Sequence, residues 1–202
     1  MSSVYSNFIL YALIAIFAEN AIFSRSLAVE RTLQLVDDQR SLITFGVLAT
    51  TCLMPASVLT YFAGKLIPEG AYAYALRPLV FVTSMVLVYF IMRVAINMAS
   101  NGNFKDLYKK VSDDLHLAMF NSAVFGSLIL CSNGQFTLTQ TIGFCLGSGI
   151  GFTVATLYVA EGQRKIGNRE VPGSFKGLPV TLLYIGILSL CIYSFTGYSL
   201  GN

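Results

Sequence analysis

Two short stretches place hydrogen-bonding side chains inside otherwise apolar sequence: "FAENAIFSRSL" at residues 17–27 and "MFNSAVFGSLI" at residues 119–129. The first carries Glu19 and Asn20, the second Asn121 and Ser122. Carboxylate, amide and hydroxyl oxygens can bind hard cations or relay protons, and in lipid they are expensive unless they face protein, water or an ion. The carboxylate is the most demanding, because an acid at the centre of a span costs about 2.5–3.5 kcal/mol on insertion scales. Glu19 therefore needs a cationic partner, a proton or a bound cation. For Asn20 and Ser122 two readings stand side by side: a place on a central ion path, and an interhelical hydrogen bond worth about 0.6 kcal/mol.

Other chemistries find little support. Cys52, Cys131, Cys145 and Cys191 are scattered, without a C-x-x-C pair or a neighbouring histidine, so they read as small hydrophobes and no metal site is expected. Cys131 and Cys145 both fall toward the same membrane face, where a disulfide or a metal could join them. His116, the single histidine, reads as a polar residue at the interface. The chain has no P-loop, dinucleotide glycine pattern, HExxH or nucleophile elbow, and no self-contained catalytic centre is expected.

The elements that must position these residues are membrane helices. Of 202 residues, 55% are hydrophobic and 11% charged, with a mean hydropathy of +0.68, whereas a soluble domain carries about 25% charged residues. Apolar runs lie near Phe8–Leu27, Leu42–Gly64, Leu76–Ala99, Leu115–Cys131, Phe136–Ala160 and Leu178–Phe195. At about 1.5 Å per residue each covers all or most of a ~30 Å hydrocarbon layer. The fold class predicted is all-α transmembrane, six helices in one integral-membrane domain over residues 1–202. The first run lacks the preceding Lys or Arg of a cleaved signal and reads as a retained span.

Charge sets the expected orientation. Arg25, Arg31, Arg40, Arg93, Lys105, Lys109, Lys110, Arg164, Lys165, Arg169 and Lys176 fall after the odd-numbered runs, and only Lys65 and Arg77 fall after an even one. Basic residues in short loops stay cytoplasmic, so both termini are expected outside. The net charge of +3 then reflects topology, and no nucleic-acid partner is implied.

The two polar stretches also align with each other, Glu19 and Asn20 against Asn121 and Ser122, followed by Ala, an aliphatic residue, Phe and a small residue. Each opens a group of three runs, and an odd number of crossings inverts the second group relative to the first. This predicts an inverted repeat, about 1–100 and 112–202, with helices 1 and 4 short or broken where their polar residues meet at the midplane. Gly143, Gly147 and Gly151 lie four apart in the fifth run and predict close helix packing. The stretches 101–114 and 161–177 read as polar connectors, with Asp113 or Asp114 capping the fourth helix and the second able to dock a soluble partner or touch anionic lipid.

In order along the chain, "AENAIF", "FNSAVFGS", "GSGIGF", "VPGSFKG" and "GILSLCIYSFTG" resemble the Rnf/Nqr integral-membrane subunit family, its A-type and E-type members above all. The resemblance covers essentially the whole chain, and Val171–Gly177 is its most specific part. It implies a bacterial or archaeal cytoplasmic membrane and a homologous sister subunit of opposite topology. It also implies flavin- and cluster-bearing partners, one [2Fe–2S] cluster shared between the sisters, and coupled translocation of Na+ or H+. The chain would at most be a subunit without a catalytic centre of its own. The family's two cluster cysteines fall on Glu30 and Ser122 in this sequence, so its own share of the [2Fe–2S] ligands is expected to be missing. Glu30 then reads as a replacement ligand or a solvated partner of Arg31, and Arg25 beside Ser24 as filling space near the lost site. Two other readings stay open: a stand-alone inverted-repeat transporter or ion carrier, and a non-redox structural subunit.

Overall fold

A computed structural model of the chain describes residues 2–30, 39–67, 70, 72–99, 105–166, 172 and 177–196. Helix α1 (Ser2–Leu13) runs on into a single π-helical turn, Ile14–Ala18. It is followed by α2 (Gln39–Lys65), α3 (Ala73–Ala99), α4 (Lys105–Met119), α5 (Ser122–Asn133), α6 (Leu138–Ile166) and α7 (Leu178–Thr196). The described residues contain no strand, and the all-helical class holds. Three segments are long and apolar enough to cross a membrane: Arg40–Lys65, Ala75–Met98 and Leu138–Lys165. Helices α4 and α5 meet the same test only as a pair bent by 44°, and Val4–Ala18 and Leu178–Ser194 are shorter apolar helices. Length and composition thus support three crossings, or four counting the bent pair, where the sequence reading expects six.

Helix α6 is the centre of the bundle, the most buried of the three long helices, whereas α3 is the least. Its glycines explain how its neighbours come so close. A methyl group at Gly143 would strike the backbone of Phe8, one at Gly147 the backbone of Ala12, and one at Gly151 the backbone of Ala15 and Ile16. The pairing of 8 with 143, 12 with 147 and 16 with 151 makes α1 and α6 parallel. On another face Gly149 meets Thr50, and Thr153 meets Gly46, so α2 runs antiparallel. Away from this core the surface is apolar: Leu79, Leu87, Phe90, Ile91, Val94 and Met98 of α3 are all exposed. Such a contiguous face suits lipid or another membrane chain.

Three boundaries differ from the sequence reading. The first helix ends at Ala18 rather than near Leu27, because Asn20 caps a new turn instead of continuing the old helix. The stretch 101–114 is not a plain connector, since α4 starts at Lys105. Val111, Leu115, Ala118 and Met119 pack into the core from one face of α4, which is the spacing of an amphipathic helix. Asp113 and Asp114 consequently lie inside α4 and cap nothing. The connector 161–177 gives its first residues to α6, which ends with Arg164 and Lys165 in its last turn, a favourable position for cations. Residues 167–171 and 173–176, with Arg169 and Lys176, lie outside the described residues, as do Arg31 and 197–202.

Gly147→Ala is expected to lower the detergent melting stability by about 1–3 kcal/mol, since backbone on both sides must move. Gly186, with open space around it, serves as the control. Gly186→Ala should melt like the parent or slightly higher, and equal melting of the two variants would contradict the packing described.

Candidate functional site

The two polar stretches form two breaks in the chain. At the first, the Glu19 N–H donates to Ile14 O at 2.8 Å, closing the π turn. Asn20 then takes over: its Oδ1 accepts from the N–H groups of Ile22 (3.0 Å) and Phe23 (3.2 Å). Its Nδ2 donates to Ile16 O (2.9 Å) and across to Gly151 O on α6 (3.1 Å). A side-chain amide has two donors and two acceptor sites, and all four are in use on backbone groups. Asn20, 3% exposed, therefore holds the break and has nothing left to offer an ion.

The second break repeats the device. Helix α4 ends at Met119, Asn121 is extended, and its Oδ1 caps α5 by accepting from Ala123 N–H at 3.0 Å. In both breaks the bond runs from Oδ1 to the N–H two residues on, so the structural equivalence is Asn20 with Asn121. The alignment of Glu19 with Asn121 is thus off by one residue, because the cap is set by backbone geometry that residue similarity does not report. Unlike Asn20, Asn121 is left incomplete: its Nδ2 is buried without a hydrogen-bond partner.

The breaks meet. After the turn, Ser26 and Ala28 take left-handed conformations (φ 54° and 57°), which costs about 1–3 kcal/mol each for residues other than glycine. This conformation aims the Ala28 N–H at Ser122 Oγ, 2.8 Å away on the first turn of α5. Leu27 sits on Gly126 one turn further along. Below the junction Ser127 Oγ lies 2.6 Å from Ser148 Oγ, tying α5 to α6. This serine pair escaped the sequence reading; the only signal for it was a serine in each of two small-residue stretches.

Glu19 is not part of that junction. Its Oε2 accepts from Arg25 Nε (2.7 Å) and lies 2.6 Å from Arg25 Nη2, and the two side chains are 36% and 44% exposed. The partner that the carboxylate needs is therefore Arg25. Glu30 lies just beyond Ala28 and is exposed. His116 is exposed in the last turn of α4. Among the cysteines, Cys131 and Cys145 approach to 3.8 Å between sulfurs as buried free thiols on α5 and α6, while Cys52 and Cys191 stand apart. Among the described residues no group of three His, Cys, Asp or Glu could hold a metal ion.

An all-helical chain with membrane-length helices and two asparagine-capped breaks defines an integral membrane protein. Residues 8–199 match the model of the Rnf-Nqr subunit family of membrane proteins, and the chain belongs to that family. It is 31% identical over 153 residues to the E-type subunit of the Na(+)-translocating NADH-quinone reductase of Shewanella denitrificans, covering 73% of this chain and 74% of that one. It is 25% identical over 187 residues, 93% and 95% of the two chains, to the A-type subunit of the Na(+)-translocating ferredoxin:NAD(+) oxidoreductase complex of Acetobacterium woodii. The A-type subunit of the ion-translocating oxidoreductase complex of Pasteurella multocida is 31% identical over 145 residues, 72% and 73% of the chains.

The two asparagines should differ in effect. Asn20→Ala removes the acceptor of the Ile22 and Phe23 N–H groups and the bonds donated to the Ile16 and Gly151 carbonyls and is expected to destabilise by about 2–4 kcal/mol, whereas Asn121→Ala loses one cap bond and should cost about 1 kcal/mol. Asn20→Asp should be no better than alanine, because it turns an oxygen toward two carbonyls; detergent melting curves of the three variants check the order. For the ion pair, Glu19→Gln alone strands Arg25 and should reduce membrane insertion more than the double variant Glu19→Gln/Arg25→Gln. Fractionated membrane yield measures this.

Proposed function

We propose that the chain is a membrane subunit of an Rnf/Nqr-type ion-translocating electron-transport complex, one that supplies no [2Fe–2S] ligand of its own. The observation that carries the reading is the junction of the two breaks, where Ser122 accepts the Ala28 N–H at 2.8 Å. On the family resemblance, Ser122 and Glu30 stand at the cluster-cysteine positions, and the junction brings residue 28 against residue 122. In this reading the fold is an inverted repeat of two three-helix halves, each opened by a broken helix. Both termini lie outside and the basic helix ends face the cytoplasm of a bacterial or archaeal inner membrane.

The donor set at the junction does not suit an iron–sulfur cluster. Such clusters are held by thiolates, and Ser122 offers instead a hydroxyl oxygen already engaged by a backbone N–H. The thiols that do come together, Cys131 and Cys145, lie at the far end of α5. No electron step is therefore assigned to this chain's residues. Its role is to complete the membrane sector beside a homologous sister protein and flavin- and cluster-bearing partners, and to border the path of Na+ or H+. The apolar outer face of α3 gives such a partner a surface, and the unserved Asn121 Nδ2 calls for an acceptor from outside the described chain.

The test is gentle solubilisation with a tag on this chain, followed by subunit identification, iron and acid-labile sulfide assay, and electron paramagnetic resonance on the recovered membrane pair. A homologous sister chain should come with it, and the pair should lack a stoichiometric [2Fe–2S] signal. Recovery of the chain alone would overturn the subunit reading, and a stoichiometric signal would overturn the loss of ligands.

A further inference from the structure

The two basic residues that break the charge pattern of the sequence, Lys65 and Arg77, converge. They stand on different helices, Lys65 in the last turn of α2 and Arg77 in the early turns of α3, and both line one cavity of about 490 Å³. The other long-helix cations, Arg40, Arg93, Arg164 and Lys165, lie toward the opposite ends of α2, α3 and α6. The end of α5 and the start of α6 close the cavity, bringing Cys131, Ser132, Thr137 and Thr141 to its wall.

Its chemistry is that of an anion site with a greasy side. Lys65 Nζ rests over the Tyr61 ring, 4.5 Å from its centroid, which holds the ammonium at the rim. Thr141, on the wall, is 2% exposed, and its Oγ1 is buried without a hydrogen-bond partner. A buried hydroxyl left unserved is uncommon in native proteins and points to a missing partner. Hydroxyl and amide groups of Ser132, Thr137 and Gln135 add further donors, while Phe81 and Leu128 supply apolar wall. The lining holds two cations, Lys65 and Arg77. The volume falls in the usual range of small-molecule sites, about 300–1,000 Å³.

We propose that this cavity binds a phosphate-bearing anion, gripped between Lys65 and Arg77 at the α2–α3 end of the bundle. Phosphate accepts several charge-assisted hydrogen bonds at once, which matches two cations from two helices together with hydroxyl-bearing residues in the wall. The position, where membrane-length helices end, puts the site at headgroup level, and the apolar wall suits the hydrocarbon that follows a lipid phosphate. Two sources share this chemistry, an anionic phospholipid headgroup and a free phosphate.

The test uses the full chain, purified in detergent with whatever subunits accompany it, and follows its melting midpoint. Three additions are compared: phosphatidylglycerol, phosphatidylcholine at the same concentration, and inorganic phosphate against chloride at equal ionic strength. Phosphatidylglycerol or phosphate should raise the midpoint more than its control. Lys65→Gln/Arg77→Gln should weaken the half-saturating concentration about 100-fold, about tenfold for each cation lost. Lys165→Gln, at the other end of the bundle, should leave the response unchanged. A response to phosphatidylglycerol alone identifies the headgroup, and a response to inorganic phosphate identifies a soluble ligand. No difference from phosphatidylcholine and chloride overturns the proposal, as does a double variant that responds like the parent. Should the double variant not fold, Lys65→Gln carries the same comparison, because that side chain is exposed and its removal opens no core.

Discussion

Contact along residues 147–151 of α6 is the constraint on which the remaining structure depends. Gly147 lies against the backbone of Ala12, Gly149 against Thr50 of α2, and Gly151 against Ile16 and Asn20, with Ser148 bonded to Ser127 of α5. Four small residues in one and a half turns thus receive three different elements. Where lipid is as apolar as a leucine side chain, helices associate through close packing and hydrogen bonds rather than by escaping water. Any Cβ at these glycines would separate the elements and remove both contributions together. The first break depends on this approach directly, because Asn20 reaches the Gly151 carbonyl only across a surface without side chains.

The polar side chains show how irregular backbone survives in an apolar setting. Non-helical chain at membrane depth is tolerated only where it is buried in protein or lines a cavity, and residues 20–23 are buried. Asn20 satisfies the break completely, and Glu19 meets Arg25. Ser122 receives the N–H of Ala28, whose left-handed backbone persists because the junction over-determines it. Of the polar side chains at the two breaks, Asn121 keeps a buried donor unserved. A fully bonded group rigidifies its surroundings, and a half-bonded one marks where a neighbour is wanted.

A family scaffold does not carry its chemistry along with it. The junction of the two breaks is present here with an oxygen where the resemblance places a sulfur. A hydroxyl accepts a backbone N–H more strongly than a thiol does, so Ser122 fits the structural task of the position while lacking the softness that iron requires. The asparagine caps and the α6 glycines hold the breaks, and Ser122 joins them through the Ala28 N–H.

Sequence by itself determined the helical membrane class, since a chain 55% hydrophobic and 11% charged with apolar runs of about 20 residues reads as membrane-spanning helices. It also determined the family, the α6 glycine face, and the positions where polar groups interrupt apolar runs, for each of these is a matter of residue type at a given spacing. Tertiary structure decided the rest. The one-residue offset between the two breaks depends on which N–H each asparagine caps. The early start of α4 depends on what its apolar face packs against. The meeting of Cys131 with Cys145, and of Lys65 with Arg77, depends on how helix ends from separate parts of the chain are brought together. Spacing along a chain reports the faces of one helix, whereas a site made by several helices exists only after their packing has fixed which faces meet.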